Sequence, residues 1–125
     1  MRRVALTVGS PSLDVEVEPR FGRAAYILLV DPDTMDWESL KNPGRDAWGG
    51  AGVRVAQVLD DRNVTDVVSG EFGPKAFEAL KAAGIRMHRL ESSTTARDAV
   101  GRLKVGKLAA VGSPSPGRRR GRGRW

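Results

Sequence analysis

Four short stretches carry the residue types from which an anion site is built. In RFGR, Arg20 and Arg23 flank Phe21 and Gly22, so two guanidiniums share one glycine-hinged loop. NPGRDAWGGAG, residues 42–52, brings Arg45 and the glycines Gly49, Gly50 and Gly52, with Arg54 just beyond. GEFGPK, residues 70–75, brings Gly70, Gly73 and Lys75. ESSTTAR, residues 91–97, brings a run of hydroxyls that includes Ser93 and Thr94. Glycine lets a ligand approach the backbone closely. Hydroxyl residues cap helix starts, and a helix start presents free N–H groups that favour anions. Arginine suits a large, soft anion better than lysine, because its guanidinium is weakly hydrated and holds several donors in a fixed plane.

Each stretch also has a plain explanation. Glycine and hydroxyl residues at helix starts are ordinary caps. Arg20 and Arg23 can pair at the surface with Asp14, Glu16 or Glu18, and Phe21, beside an apolar strand, reads as core. Convergence of several loops on one sheet edge tips the balance toward a ligand site, since ligands of open α/β sheets bind beyond the strand ends.

Other chemistries find little support. The chain has no cysteine, which removes disulfides, thiolate nucleophiles and thiolate metal sites. His88 is the only histidine and sits between Met87 and Arg89; with Met1, Met35 and Met87 it completes the set of soft donors. A lone histidine is more often solvated or hydrogen-bonded than ligating, but His88 stays the one metal-ligand candidate. There is no Gly-x-Ser-x-Gly elbow, P-loop lysine or Cys/His pair. The first strand holds no carboxylate, and Asp31 and Asp66 fall at strand ends without an obvious partner. A non-enzyme is expected.

Charge divides the chain. The formal net charge is +6, yet Arg118, Arg119, Arg120, Arg122 and Arg124 lie in the last eight residues, where no acid occurs. The 16 remaining basic residues face all 15 acids, so the body is nearly neutral. The Gly, Ser, Pro and Arg of the end segment bury too little apolar surface to offset the entropy of ordering. One domain over residues 1–111 and a disordered Arg/Gly-rich tail over 112–125 are expected. No apolar run approaches the ~20 residues of a membrane span, and MRRVALTVGS is too short and alternating for a signal peptide. These features indicate a cytoplasmic protein.

The elements that must hold the loops follow from periodicity. Arg3–Gly9, Tyr26–Val30, Thr65–Gly70 and Ile85–Leu90 read as strands, with Met35–Lys41 as a hairpin edge partner after the Asp31-Pro32-Asp33-Thr34 turn. Gly52–Arg62, Gly73–Ala83 and Thr94–Leu103 carry helical spacing, with Pro74 at a favoured first position and Gly84 as a stop. The order βββαβαβα with right-handed crossovers gives a five-stranded mixed sheet, order 3-2-1-4-5, with helices on both faces. Its outline is ribonuclease H-like.

With D-x-x-V-x-x-RFGRA before an apolar strand, GGAG opening the first helix, GPKAFEALKAAGI for the second and T-x-R-x-A-V-x-x-L-K-x-G-K-L at the end, residues 3–108 resemble the dinitrogenase iron-molybdenum cofactor biosynthesis family. That family includes NifX, the C-terminal part of NifB and the orange protein. The resemblance implies a single domain that carries an anionic metal-sulfur cluster, either an iron-molybdenum cofactor precursor or a molybdenum-copper sulfide, bound without covalent protein ligands. It implies binding positions at Arg20-Phe21-Gly22-Arg23, the Gly49 to Gly52 turn and the Gly70 to Pro74 turn, and cluster donor and acceptor proteins as partners. Two other functions fit the residues: nucleic-acid binding through Arg118–Trp125, and a regulatory interaction domain without a ligand.

Overall fold

The computed structural model describes residues 2–42 and 51–112. Strands β1 (Val4–Val8), β2 (Tyr26–Val30) and β3 (Trp37–Lys41) lead into α1 (Ala51–Asp61), followed by β4 (Asp66–Ser69), α2 (Pro74–Ala82), β5 (Arg86–Arg89), α3 (Ala96–Lys104) and β6 (Ala109–Ala110). They form one sheet of order β3-β2-β1-β4-β5-β6. β1 pairs antiparallel with β2 and parallel with β4; β5 is parallel to β4, and β6 antiparallel to β5.

The sheet therefore has six strands, not five. The expected order of the first five holds, and the sixth adds to the outer edge. β6 is two exposed alanines, paired to His88 and Arg89, and the next residue, Val111, packs against the core while its amide donates to the Met87 carbonyl at 3.1 Å. Two residues of low strand propensity show no periodicity, so pairing alone defines this element.

The central strands bury both faces, as parallel strands covered by helices do. Val4, Leu6 and Val8 of β1 join Leu28, Val30 and Val68 under α3, which contributes Ala96, Ala99, Val100 and Leu103 at helical spacing. On the opposite face, Ala5, Ile27, Leu29, Val67 and Met87 meet Val55, Ala56 and Leu59 of α1 and Ala76, Phe77 and Leu80 of α2. Two boundaries shift by two residues from expectation, the others by one at most. β3 begins at Trp37 because Met35 adopts φ 65° and its amide closes back on the Asp31 carbonyl at 2.7 Å. α3 begins at Ala96 because Thr95 is the cap, its hydroxyl accepting the Asp98 amide at 3.2 Å.

Candidate functional site

The residues after β1 return across the strand ends as a long loop. The Val17 amide donates to the Thr94 carbonyl at 2.9 Å, and Val17 forms a bridge with Val8. Glu18 then donates to the Thr7 carbonyl, and Arg20 bridges Glu71. The loops at 18–23, 70–73 and 91–95 thus meet at the C-terminal ends of β1, β4 and β5, as the topology requires. The Gly49-Gly50 turn and Arg45 lie outside the described residues.

Phe21–Arg23 form one turn of 3-10 helix, closed by the Arg23 amide on the Arg20 carbonyl at 3.1 Å. Phe21 turns inward: it is 3 % exposed, and its ring lies 5.6 Å from that of Phe72, beneath α1. Gly22 is the middle residue of the turn. Arg20 and Arg23 point outward and are exposed. Among the described residues neither guanidinium has a carboxylate within 4.0 Å; Asp14, an expected surface partner, pairs instead with Arg97 at 3.0 Å.

The glycines divide. Gly73, the N-cap of α2, has open space where a side chain would stand, and no side chain caps the helix. It fits close approach of a ligand to a helix start. Gly70 does not, because a Cβ there would lie 2.7 Å from the Pro19 Cα; the loop itself fills the space. Gly52 does not either, because its missing Cβ admits Ala76, 2.7 Å away, and lets α1 and α2 pack closely. Ser93 is exposed and, with Val17, Pro19, Gly70, Leu90 and Ser92, lines a groove of about 310 Å³. Thr94 is buried and spends its hydroxyl on the Ser92 carbonyl at 3.1 Å, so it offers no spare donor.

His88 stands apart from these loops. Its Nε2 lies 2.8 Å from Oδ2 of Asp66, the first residue of β4. Asp66 is fully buried and well supplied: Thr65 Oγ1 donates at 2.6 Å, Arg86 Nε lies at 3.2 Å and Arg2 Nη2 at 3.3 Å. Burial pushes the carboxyl up, but the bonds from His88 and Thr65 and the charges of Arg86 and Arg2 prevail and hold it well below the usual carboxylate range. The expectation that Asp66 lacks a partner is corrected. Among the described residues no three His, Asp or Glu side chains gather closely enough to hold a metal ion.

Sequence reasoning also missed three buried polar side chains beneath the loop: Thr7, Ser69 and Asn42, at 1, 0 and 6 % exposure. The signal for the first two was a hydroxyl at or near the end of a buried strand, in VALTV and DVVS.

Comparison with known proteins agrees with the fold. The apo orange protein of Desulfovibrio gigas superposes with a TM-score of 0.88 at 40 % identity, over 93 % of this chain and 98 % of its own. A putative NifB protein from Thermotoga gives 0.80 at 31 % identity, again over 93 % and 98 %. An uncharacterized protein of Methanocaldococcus jannaschii is 26 % identical over 97 residues, 75 % of this chain and 79 % of that protein. Residues 2–106 match the family described as dinitrogenase iron-molybdenum cofactor, and the chain belongs to that family.

Proposed function

We propose that the protein is a non-catalytic carrier for an anionic metal-sulfur cluster held without covalent ligands at the C-terminal edge of the sheet. The carrying observation is the pair Arg20 and Arg23: two exposed guanidiniums on an anchored turn, with no carboxylate within 4.0 Å among the described residues. The donors suit such a cargo. With no cysteine in the sequence, the edge offers the diffuse positive charge of two guanidiniums, which attracts an anion rather than coordinating a metal. Membership of the family described as dinitrogenase iron-molybdenum cofactor supports a molybdenum-containing cluster as the cargo. Donor and acceptor proteins, a cytoplasmic location and the ribonuclease H-like outline belong to the same proposal. A domain boundary after Val111 belongs to it too, supported by Val111 being the last described residue with a backbone bond to β5.

The test is anaerobic titration of the full chain with tetrathiomolybdate, with and without copper, followed by amide shifts and by metal and sulfide analysis. Stoichiometric uptake with shifts at residues 20–23 and 70–75 is expected, and the double variant Arg20→Ala/Arg23→Ala is expected to bind at least tenfold more weakly while melting like the parent. Unchanged affinity in that variant refutes the role of the two arginines. Charge segregation favours one second function, nucleic-acid binding through Arg118–Trp125. It predicts salt-dependent RNA or DNA binding that vanishes when the chain ends at Val111, while anion uptake persists.

A further inference from the structure

We infer that Thr7, Ser69 and Asn42 are positioning residues that hold the Arg20–Arg23 turn in its binding conformation before any anion arrives; the inference rests on the carrier function proposed above. A three-residue 3-10 turn makes too few bonds of its own to fix its shape. Its shape must come from its flanks, and both flanks are tied to buried polar side chains.

On the upstream side, Thr7 Oγ1 donates to the Glu18 carbonyl at 2.9 Å. Ser69 Oγ lies 3.2 Å from Thr7 Oγ1 and reaches the Glu18 and Pro19 carbonyls at 3.4 and 3.3 Å. The backbone reinforces this through the Glu71 amide, which donates to the Pro19 carbonyl at 2.8 Å. On the downstream side, Asn42 Nδ2 donates to the Ala24 carbonyl at 2.9 Å and to the Phe21 carbonyl at 3.4 Å, and the Asn42 amide donates to the Ala25 carbonyl at 3.0 Å. The backbone carbonyls of residues 18, 19, 21, 24 and 25 are therefore all held from the sheet side. The Arg20 and Arg23 side chains stay exposed on the outer side.

Apolar residues would fill the Thr7 and Ser69 sites without the cost of burying hydroxyls. The hydroxyls have one use in the fold, which is to grip this loop. Gripping raises affinity by removing the ordering cost that a loose loop would impose on binding.

The experiment compares the full chain with Thr7→Val/Ser69→Ala and with Asn42→Ala, and uses Thr7→Ser as the conservative control. Three quantities are read: tetrathiomolybdate affinity, amide hydrogen exchange across residues 20–25 of the apo protein, and the melting midpoint. The clamp variants are expected to bind at least tenfold more weakly and to exchange at least tenfold faster at residues 20–25 than the parent, with exchange in β1 and β4 little changed. Thr7→Ser restores both. Folded clamp variants with parental affinity, or with parental exchange at residues 20–25, overturn the inference. Should Thr7→Val/Ser69→Ala fail to fold, the single Ser69→Ala variant carries the same two criteria. A parent that takes up no anion refutes the carrier function instead, and the exchange measurement then decides the clamp alone.

Discussion

Replacing Gly70 with alanine separates a glycine that the loop itself occupies from one that faces open space. The new Cβ would stand 2.7 Å from the Pro19 Cα and 2.8 Å from both its Cβ and its carbonyl oxygen. Carbon atoms pack at roughly 3.5 Å or more, so the overlap is close to an ångström, and it falls on backbone and a closed ring that cannot rotate away. The loop must move. Movement strains the Pro19 carbonyl's bonds to the Glu71 amide and the Ser69 hydroxyl, each worth about 1 kcal/mol net. Overpacking adds about 1–3 kcal/mol, and the stiffer unfolded chain returns about 0.4–1 kcal/mol. A net loss of about 2 kcal/mol lowers the melting midpoint by roughly 8 °C for a domain of this size. Gly73→Ala, three residues on, meets nothing within 4 Å at φ −66° and should melt within about 2 °C of the parent, since the roughly 0.5–1 kcal/mol lost with a poorer N-cap is offset by about 0.4–1 kcal/mol from the stiffer unfolded chain. Circular-dichroism melts of both variants decide. A Gly70→Ala protein that melts like the parent, or a Gly73→Ala protein that falls as far, would refute the packing of Pro19 on Gly70.

Gly52→Ala drives a methyl to within 2.7 Å of Ala76 Cβ and 2.8 Å of its Cα; a loss of about 1–3 kcal/mol is expected by urea unfolding, and because the backbone Cα and N of residue 76 stay within 2.9 Å, adding Ala76→Gly should recover only a minor part of it in a double-mutant cycle. Asp66→Asn removes the charge that Arg2, Arg86 and His88 surround. Fully buried pairs lose about 3–5 kcal/mol on such a change, but Arg2 and Arg86 are 38 and 62 % exposed, so about 2 kcal/mol is expected in urea at neutral pH. The folded carboxyl titrates below its unfolded range. Its contribution is therefore complete above about pH 4 and is lost as pH falls below that value. Urea midpoints between pH 5 and 2 should fall more steeply in the parent than in Asp66→Asn, and parallel slopes would remove Asp66 from the account.

Much of the fold was legible because the strongest local signals agreed with one another. The apolar runs VALTV and YILLV, the Pro74 start and the Gly84 stop each fixed an element to within a residue or two. Met35 was misplaced because a left-handed backbone at a non-glycine residue has no sequence mark. Arg20 and Arg23 were legible as cations, and their lack of a described carboxylate partner was not, since pairing depends on where Asp14 is drawn by α3. Gly52, Gly70 and Gly73 look alike in sequence; only tertiary contact distinguishes a helix crossing, a loop seat and an open cap.

The polar residues of β4 show why the remainder was hidden. DVVS begins with a carboxylate and ends with a hydroxyl, both fully buried, and strand propensity disfavours aspartate in a central strand. Their partners lie far off in sequence: Asp66 meets Arg2 across 64 residues, and Ser69 meets Pro19 across 50. No window of local pattern reaches that distance. The two residues also serve different ends of one strand. Asp66 secures the edge where β1, β4 and β5 begin, far from the RFGR turn, while Ser69 grips the loop that carries it. Because β4 itself is held by the sheet on both sides, a change at Asp66 acts on global stability and leaves the loop in place, whereas a change at Ser69 frees the loop within an intact sheet. The proposed function therefore predicts that stability and binding separate along a single four-residue strand.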